Sequence, residues 1–539
     1  MDSEAFRIYG KQMIDIVADY WESMRERKPL PDVQPGFMKD LIPSEPPIKG
    51  EEWKEIFKDI ESVALQGNTN WHHPHFFAYF PTALSYPSIM ADILSGGIAS
   101  IGFSWKSSPS MTELEMAMTD WLIKAFQFPT YFLNSDDGHG AGIIQNTASD
   151  ATLVAILSAR ARAVKKISDT LRYQSSSKNI NNEDNVILLL KNNITSIFID
   201  KLEILKKKII YNTNGKECNE NILENNDITT FEAHNPSLFE KLVAYCSDQA
   251  HSSIDKGAML AGVRLRKLKS SIDNKTKNYT INSDTLKKAI QEDINSGLVP
   301  FILIATVGTT NTCAVDPLSE LGPICNENNI WLHVDGAYAI SFALLPECKY
   351  LINGIEYADS FNFNVHKAMA VNFDCSPMWF KDASEAIAYF NVDPVYLKHE
   401  HQTNSFDYRH LQIALGRRFR SLKLWFVFRN MGIEGLQKFL RKQIELGDYF
   451  HDILIKDNRF EIIVPHHLGL TCFKIKDSTN EINERLYTEI DKDRRIHLVP
   501  SKINGIYFLR FVVCSQLTTK EDILFAYNVI VEIYNKIIQ

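Results

Sequence analysis

Phe6, Tyr9, Met13, Val17, Tyr20 and Met24 recur at spacings of three and four, which predicts an opening helix with one apolar face. The prolines of KPLPDVQPG end it, and a second helical stretch is predicted around residues 51–64. Two early helices with one greasy face each are expected to pack on something larger, such as another subunit. In the middle of the chain the pattern changes. PFILIATVG (300–308) reads as a buried strand, a helix and loop follow, and IWLHVDGAYA (330–339) reads as the next strand. That alternation predicts an α/β fold, a mostly parallel central sheet sandwiched by helices. Ligands gather at the carboxyl ends of such strands, and Asp335 stands where WLHV ends. Towards the end, LGLTCFKI and GIYFLRFVVCS read as strands and KEDILFAYNVIVEIYNKI as a helix, a small α+β lobe. The expected divisions are a helical N-terminal arm (1–85), a large domain (86–424) and a small C-terminal α+β domain (425–539). Residues 174–232, rich in Asn, Ile, Lys and Glu, fit neither pattern. They read as an insertion in a surface loop, where added length costs little; translated intron sequence is the rival reading.

Composition narrows the function class. The 539 residues are 45% hydrophobic and 23% charged, as in soluble globular proteins, and the net charge of -8 argues against a nucleic-acid or anionic-membrane binder. The first residues are amphipathic and charged, unlike a signal peptide, and no apolar run approaches the roughly 18 residues of a spanning helix. Eight cysteines without a CxxC pair suggest reduced thiols rather than disulfides or a metal site. A soluble, cytoplasmic enzyme is expected.

The candidate chemistry centres on SFNFNVHKAMAVNFDCS (360–376), where Lys367 stands among asparagines and apolar residues. Lysine is almost never buried without a partner, so the amine reads as a nucleophile that could hold an aldehyde cofactor as a Schiff base. Desolvation and a nearby cation would lower its pKa. Pyridoxal phosphate makes three further demands. Its phosphate needs backbone N–H groups at a helix start, which Thr147, Ala148 and Ser149 supply just before an alanine- and leucine-rich run. Its ring nitrogen needs a carboxylate, and Asp335 is well placed. Its ring face needs a flat partner, and His251 in SDQAHSSID could stack there. Taken singly, these are an N-cap, a turn residue, a core histidine and a solvated lysine. In the order phosphate loop, histidine, aspartate, lysine they reinforce one another.

Longer stretches carry a resemblance. FFAYFPTALSYPSIMADILSGG, IGFSWKSSPSMTELEMAMTDWL, KLVAYCSDQAHSSIDK, ATVGTTNTCAVDPL, WLHVDGAYA, DSFNFNVHK, VNFDCSPMW, NVDPVYLKH and DYRHLQIALGRRFRSLKLWFVFR resemble the aromatic-L-amino-acid decarboxylases of the pyridoxal-phosphate group II family over nearly the whole chain. The resemblance implies a fold-type I, transferase-like architecture and a homodimer with shared active sites. It implies that Lys367 holds pyridoxal 5'-phosphate, Asp335 pairs the ring nitrogen and His251 stacks on the ring. Thr310 and Ala337 would lie by the cofactor, with Ala148, Ser149, Ser360, Asn364 and His366 around its phosphate. Trp71, Tyr79, Phe80, Pro81 and Thr82 would form an aromatic substrate wall, and Ile101 and Phe103 would reach in from the neighbouring subunit. Residues 398–411, KHEHQTNSFDYRHL, resemble a closing catalytic loop with Tyr408 as proton donor; on composition alone they equally read as a plain loop with a packed tyrosine.

The implied reaction is decarboxylation of an aromatic L-amino acid, such as L-dopa or 5-hydroxytryptophan, to the amine and carbon dioxide. The family also contains synthases that consume oxygen and yield aldehyde, ammonia and peroxide. His251, Tyr408 and Phe80 favour the plain decarboxylase. A silent homologue acting as a binding protein is the reading from another class, which retention of the cofactor residues opposes. Several positions depart from the family pattern: Val365 and Ala368 in place of the proline and tryptophan of NPHKW, Leu411, Ala414, the loop segment HQTNSFDY, the run DDGHGAG, and Asn146 for a glycine beside the phosphate turn. They mostly set flexible or smaller residues around the catalytic centre.

Overall fold

The computed structural model describes residues 1–80, 82–134, 139–177, 235–390 and 407–538, with side chains omitted at 171–177. The chain forms two compact units, one of residues 84–437 and one that joins residues 1–83 to 438–539.

The 84–437 unit is built on a seven-stranded sheet. Its strands are β1 (Ala141–Gln145), β2 (Leu242–Ser247), β3 (Arg264–Leu268), β6 (Val299–Thr306), β7 (Trp331–Asp335), β8 (Ser360–Asn362) and β9 (Ser376–Phe380), while β4 (Ser271–Ile272) and β5 (Tyr279–Thr280) form a separate small hairpin. The order across the sheet is β1-β9-β8-β7-β6-β2-β3. Only β9 runs against its neighbours; the β8–β7–β6–β2–β3 pairings are parallel. All residues of β1, β2, β7, β8 and β9 are buried, as expected of strands covered on both faces. The predicted strands at 300–308 and 330–339 appear as β6 and β7, and Asp335 is the last residue of β7. The Ala148–Ser177 helix packs against the Ser253–Ala261 helix through an apolar face that includes Ala151, Val154, Ala155 and Ile156. It takes in residues 174–177, the start of the proposed insertion; the rest of that segment, to 232, lies outside the described residues.

In the other unit the Ser3–Glu22 helix carries the predicted opening stripe, capped by the Asp2 carboxylate, which accepts from the Ala5 N–H at 2.8 Å. Trp53–Asp59 is helical and continues as a wider π-helical turn over Ile60–Leu65. The C-terminal part is an antiparallel sheet of β10 (Phe460–Ile462), β11 (Leu470–Ile475), β12 (Val499–Ile503) and β13 (Ile506–Val512), backed by the Asn480–Asp493 and Lys520–Ile538 helices. Both ends of the chain share this unit for a physical reason. The Phe77 N–H donates to the His497 carbonyl (2.9 Å), the Val512 N–H donates to the Phe77 carbonyl (3.0 Å), and the Phe77 ring stacks on Phe511 at 4.1 Å. Asp522 adds an ion pair to Arg25 (2.8 Å) and a hydrogen bond with His75 Nε2 (3.0 Å).

Candidate active site

The carboxyl ends of the parallel strands bring together most of the residues singled out in the 84–437 unit. Asp335 closes β7, 4% exposed, and accepts from the Ala337 N–H at 3.1 Å. Strand register sets Thr306 on one side of it and Asn362 on the other. Asn364 sits just beyond β8, its N–H donating to the Ala337 carbonyl (3.2 Å) and its Oδ1 accepting from Ser376 (2.6 Å). It opens the single helical turn Val365–Ala368, and the Lys367 N–H returns to the Asn364 carbonyl at 3.1 Å. Lys367 is half-buried between fully buried neighbours; Val365 and Ala368 are both 0% exposed, so these two departures fill packed positions.

His251 follows β2 on a loop, its Nδ1 accepting from the Ser253 N–H at 3.1 Å. Desolvation lowers its pKa, the Asp335 carboxylate opposes that, and Lys367 adds to it. His251 therefore feels both of the other predicted cofactor groups electrostatically. Thr310 lies on the loop after β6, where the Gly308 and Thr309 N–H groups both donate to the Ala314 carbonyl at 2.9 Å. Gly308 has φ +93°, and a Cβ there would meet the Ala339 Cβ at 2.6 Å, so this turn requires glycine. One link escaped the sequence reading: Asn311 Nδ2 donates to Gln249 Oε1 (2.9 Å), tying the Thr310 loop to the His251 loop. Side chains more than sixty residues apart leave no periodic signal.

The phosphate turn differs slightly from expectation. Ala148 and Ser149 are already the first two helical residues rather than precursors, and Thr147 caps them, its Oγ1 accepting from the Asp150 N–H at 3.2 Å. Ser149 is exposed, which leaves its N–H and hydroxyl open to an anion. His366 is held by the Cys375 N–H donating to its Nδ1 (2.9 Å), and burial pulls its pKa down to about 4, so the imidazole is neutral.

Two of the expected site residues are buried. Ser360, expected around the phosphate, is fully buried and pairs with His333, two positions before Asp335. There Trp331 Nε1–H donates to its Oγ (2.8 Å), and the hydroxyl lies 2.8 Å from His333 Nδ1. His333, lowered to about 4 by burial, is neutral; its Nε2–H then donates to Asn362 Oδ1 at 3.1 Å. This relay sets the Asn362 amide next to Asp335. The second is Tyr408. Residues 398–406 lie outside the described residues, but Tyr408–Leu411 is a buried helical turn. Tyr408 is 1% exposed and packs in the core with Leu411, its ring 4.7 Å from the Arg417 guanidinium, which pairs with buried Glu115. Burial drives its phenol well above the ordinary pKa, which weakens it as an acid. In the described residues it packs as a core tyrosine.

Ile101 is 56% exposed, and the Phe103 carbonyl accepts from the Arg409 N–H at 3.1 Å. The substrate-wall residues belong to the unit of the two chain ends. There Trp71 and Tyr79 are 5.3 Å apart, Trp71 and Phe76 5.1 Å, and Arg510 lies 5.0 Å from the Phe80 ring. Trp71 and Tyr79 are exposed and Thr82 is half-buried; Pro81 lies outside the described residues.

An amine on a tight turn, a strand-end carboxylate, an imidazole beside them and a capped helix start form a donor set that fits pyridoxal phosphate. Asn362 Nδ2 and Thr306 Oγ1, on the strands flanking Asp335, are buried without hydrogen-bond partners among the described residues, as at a site completed by a ligand. Comparison with known proteins agrees. The pyridoxal-dependent decarboxylase conserved domain matches residues 35–187 and 223–476. The aromatic-L-amino-acid decarboxylase of Drosophila melanogaster is 44% identical over 528 residues, covering 98% of this chain and 91% of that protein. Catharanthus roseus tryptophan decarboxylase, solved in complex with L-tryptophan, superposes with a TM-score of 0.81 at 31% identity over 100% of this chain and 99% of its own. Rhodiola rosea 4-hydroxyphenylacetaldehyde synthase superposes at 0.80 with 28% identity over 100% of both chains. With the domain spanning most of its length and full-length similarity to a decarboxylase, this chain belongs to the pyridoxal-dependent decarboxylase family.

Proposed function

We propose that this protein decarboxylates an aromatic L-amino acid, with L-dopa and 5-hydroxytryptophan as first candidates, releasing the amine and carbon dioxide. The observation that carries the reading is the convergence of Lys367, Asp335 and His251 at the strand ends of a chain 44% identical to an aromatic-L-amino-acid decarboxylase. Pyridoxal phosphate, when bound, supplies the electron sink that decarboxylation requires. Lys367 would hold its aldehyde carbon, and its amine would serve as a base beside the reacting centre. Asp335, buried between β6 and β8, would keep the ring nitrogen protonated. His251 would cover the ring, with Thr310 and Ala337 beside it. The N–H groups of Ala148 and Ser149, with Asn364 and His366, would receive the phosphate. Trp71, Tyr79, Phe80, Pro81 and Thr82 would offer the flat apolar surface that an aromatic side chain needs.

The working unit is proposed to be a homodimer with Ile101 and Phe103 supplied to the partner's site. Support comes from the Tyr86–Ile98 helix, where Tyr86, Met90, Ile93, Leu94 and Ile98 are each 45–55% exposed. So much apolar surface on one helix marks an interaction face. A cytoplasmic location is proposed from eight cysteines without a CxxC pair, a pattern that suits reduced thiols; no described helix is long and apolar enough to cross a membrane.

Lys367→Ala tests the assignment. Turnover should fall by at least a thousandfold, and borohydride reduction of the coenzyme-loaded wild type should leave a pyridoxyl group on Lys367 by peptide mass spectrometry. Normal turnover in the variant would end the assignment.

A further inference from the structure

The end of β1 and the start of β9 meet beside the phosphate turn. These strands are antiparallel and Gln145 pairs with Ser376, so Asn146 leaves the sheet where Asp374 and Cys375 enter it. Arg420, 7% exposed, lies across the junction. Its Nη2 donates both to Asn146 Oδ1 and to Asp374 Oδ2 (2.9 Å), and its Nε donates to Asp374 Oδ2 at 3.0 Å. On the far side the Cys375 N–H holds His366, the neighbour of Lys367, at 2.9 Å. Lys423, 2% exposed, pins the same segment by donating to the carbonyls of Asn372 (3.2 Å) and Asp374 (3.0 Å). A continuous series of bonds thus runs from the residue before Thr147 to the residue before Lys367.

Resting on the coenzyme reading above, we propose that Asn146 is a positioning residue for the coenzyme phosphate, bracing the turn that opens the Ala148–Ser177 helix against the 374–375 segment through Arg420. Thr147 satisfies the first turn from within, but its bond to Asp150 is local and does not fix the turn relative to the sheet. Asn146 does, because its partner is anchored on another element. The glycine of the family pattern has no side chain to make this bond. The brace is therefore particular to chains with an acceptor here. Helix-start anion sites depend on N–H groups aimed at one point, so a loosened turn should cost phosphate affinity and leave the ring contacts alone.

The test titrates the full-length apoprotein with pyridoxal phosphate and, separately, with pyridoxal, which lacks the phosphate. The readout is the near-visible absorbance of lysine-bound coenzyme. Asn146→Ala and Asn146→Gly should each raise Kd for pyridoxal phosphate about tenfold, the loss expected of one hydrogen bond to a charged donor. Their Kd for pyridoxal should match the wild type. Unchanged pyridoxal phosphate affinity in both variants would overturn the proposal, and so would equal weakening for the two ligands, which would mark a merely structural role. Failure of the wild type to bind pyridoxal phosphate at all would instead refute the coenzyme reading on which the proposal stands.

Discussion

Ser360→Ala separates two roles for one hydroxyl. As a phosphate contact, Ser360 would govern coenzyme affinity. As the link between Trp331 and His333, it governs the stability of the sheet itself. The substitution removes an acceptor from the Trp331 indole N–H and a donor to His333 Nδ1, all within a layer where Trp331 is 1% and His333 and Ser360 are 0% exposed. Each stranded buried group costs about 1–3 kcal/mol. Relaxation around a change this small recovers part of that, so the expected loss is roughly 2–4 kcal/mol. Urea unfolding of the apoprotein, followed by tryptophan fluorescence, measures it as a lower midpoint at unchanged slope. Coenzyme Kd, read on the same samples well below the midpoint, should move by less than threefold. Wild-type apoprotein stability with a tenfold or greater loss of coenzyme affinity would refute this reasoning and return Ser360 to the phosphate.

Acid should destabilise the fold over a defined window. His333 and His366 sit at about 4 in the folded chain against an ordinary 6.5, both through burial, so the unfolded chain takes up their protons first as pH falls. Their stabilisation is complete above pH 6.5 and lost towards pH 4, at most roughly 3 kcal/mol each. Asp316, raised to about 6 by burial, works in the opposite sense, but one carboxyl does not cancel two imidazoles. Urea midpoints at successive pH values should fall below 6.5, and a flat profile would contradict the neutral assignments. Tyr408→Phe should keep the amine as product, measured by chromatography; diversion to aldehyde would restore the loop reading, and Tyr396→Phe, the only other tyrosine between 391 and 411, is the natural comparison. Ile93→Asp should shift the sedimenting species from dimer towards the 61.6 kDa monomer, and an unaltered dimer would place the interface elsewhere.

The parts of this fold that were legible in the sequence are those with local causes. The apolar runs at 300–308 and 330–339 became β6 and β7, and the helix at Ala148 followed its cap and its alanine-rich face. Lys367 stood out because a charged side chain among buried positions needs a reason. What stayed hidden depends on partners far away in the chain. Ser360 reads like any strand-end serine until Trp331 and His333 are seen beneath Asp335. Tyr408 sits in a polar stretch, yet its neighbours in space are Arg417 and Leu411 rather than solvent. The union of the two chain ends rests on Phe77 meeting Phe511, a pairing across more than four hundred residues that no periodicity announces.

Product partition is the decisive test of the proposed reaction. Purified protein loaded with pyridoxal phosphate and given L-dopa would be followed for carbon dioxide, amine, aldehyde and hydrogen peroxide together. Amine and carbon dioxide are expected in equal amounts with negligible peroxide. Aldehyde with stoichiometric peroxide, or no carbon dioxide from any aromatic L-amino acid tried, would contradict it.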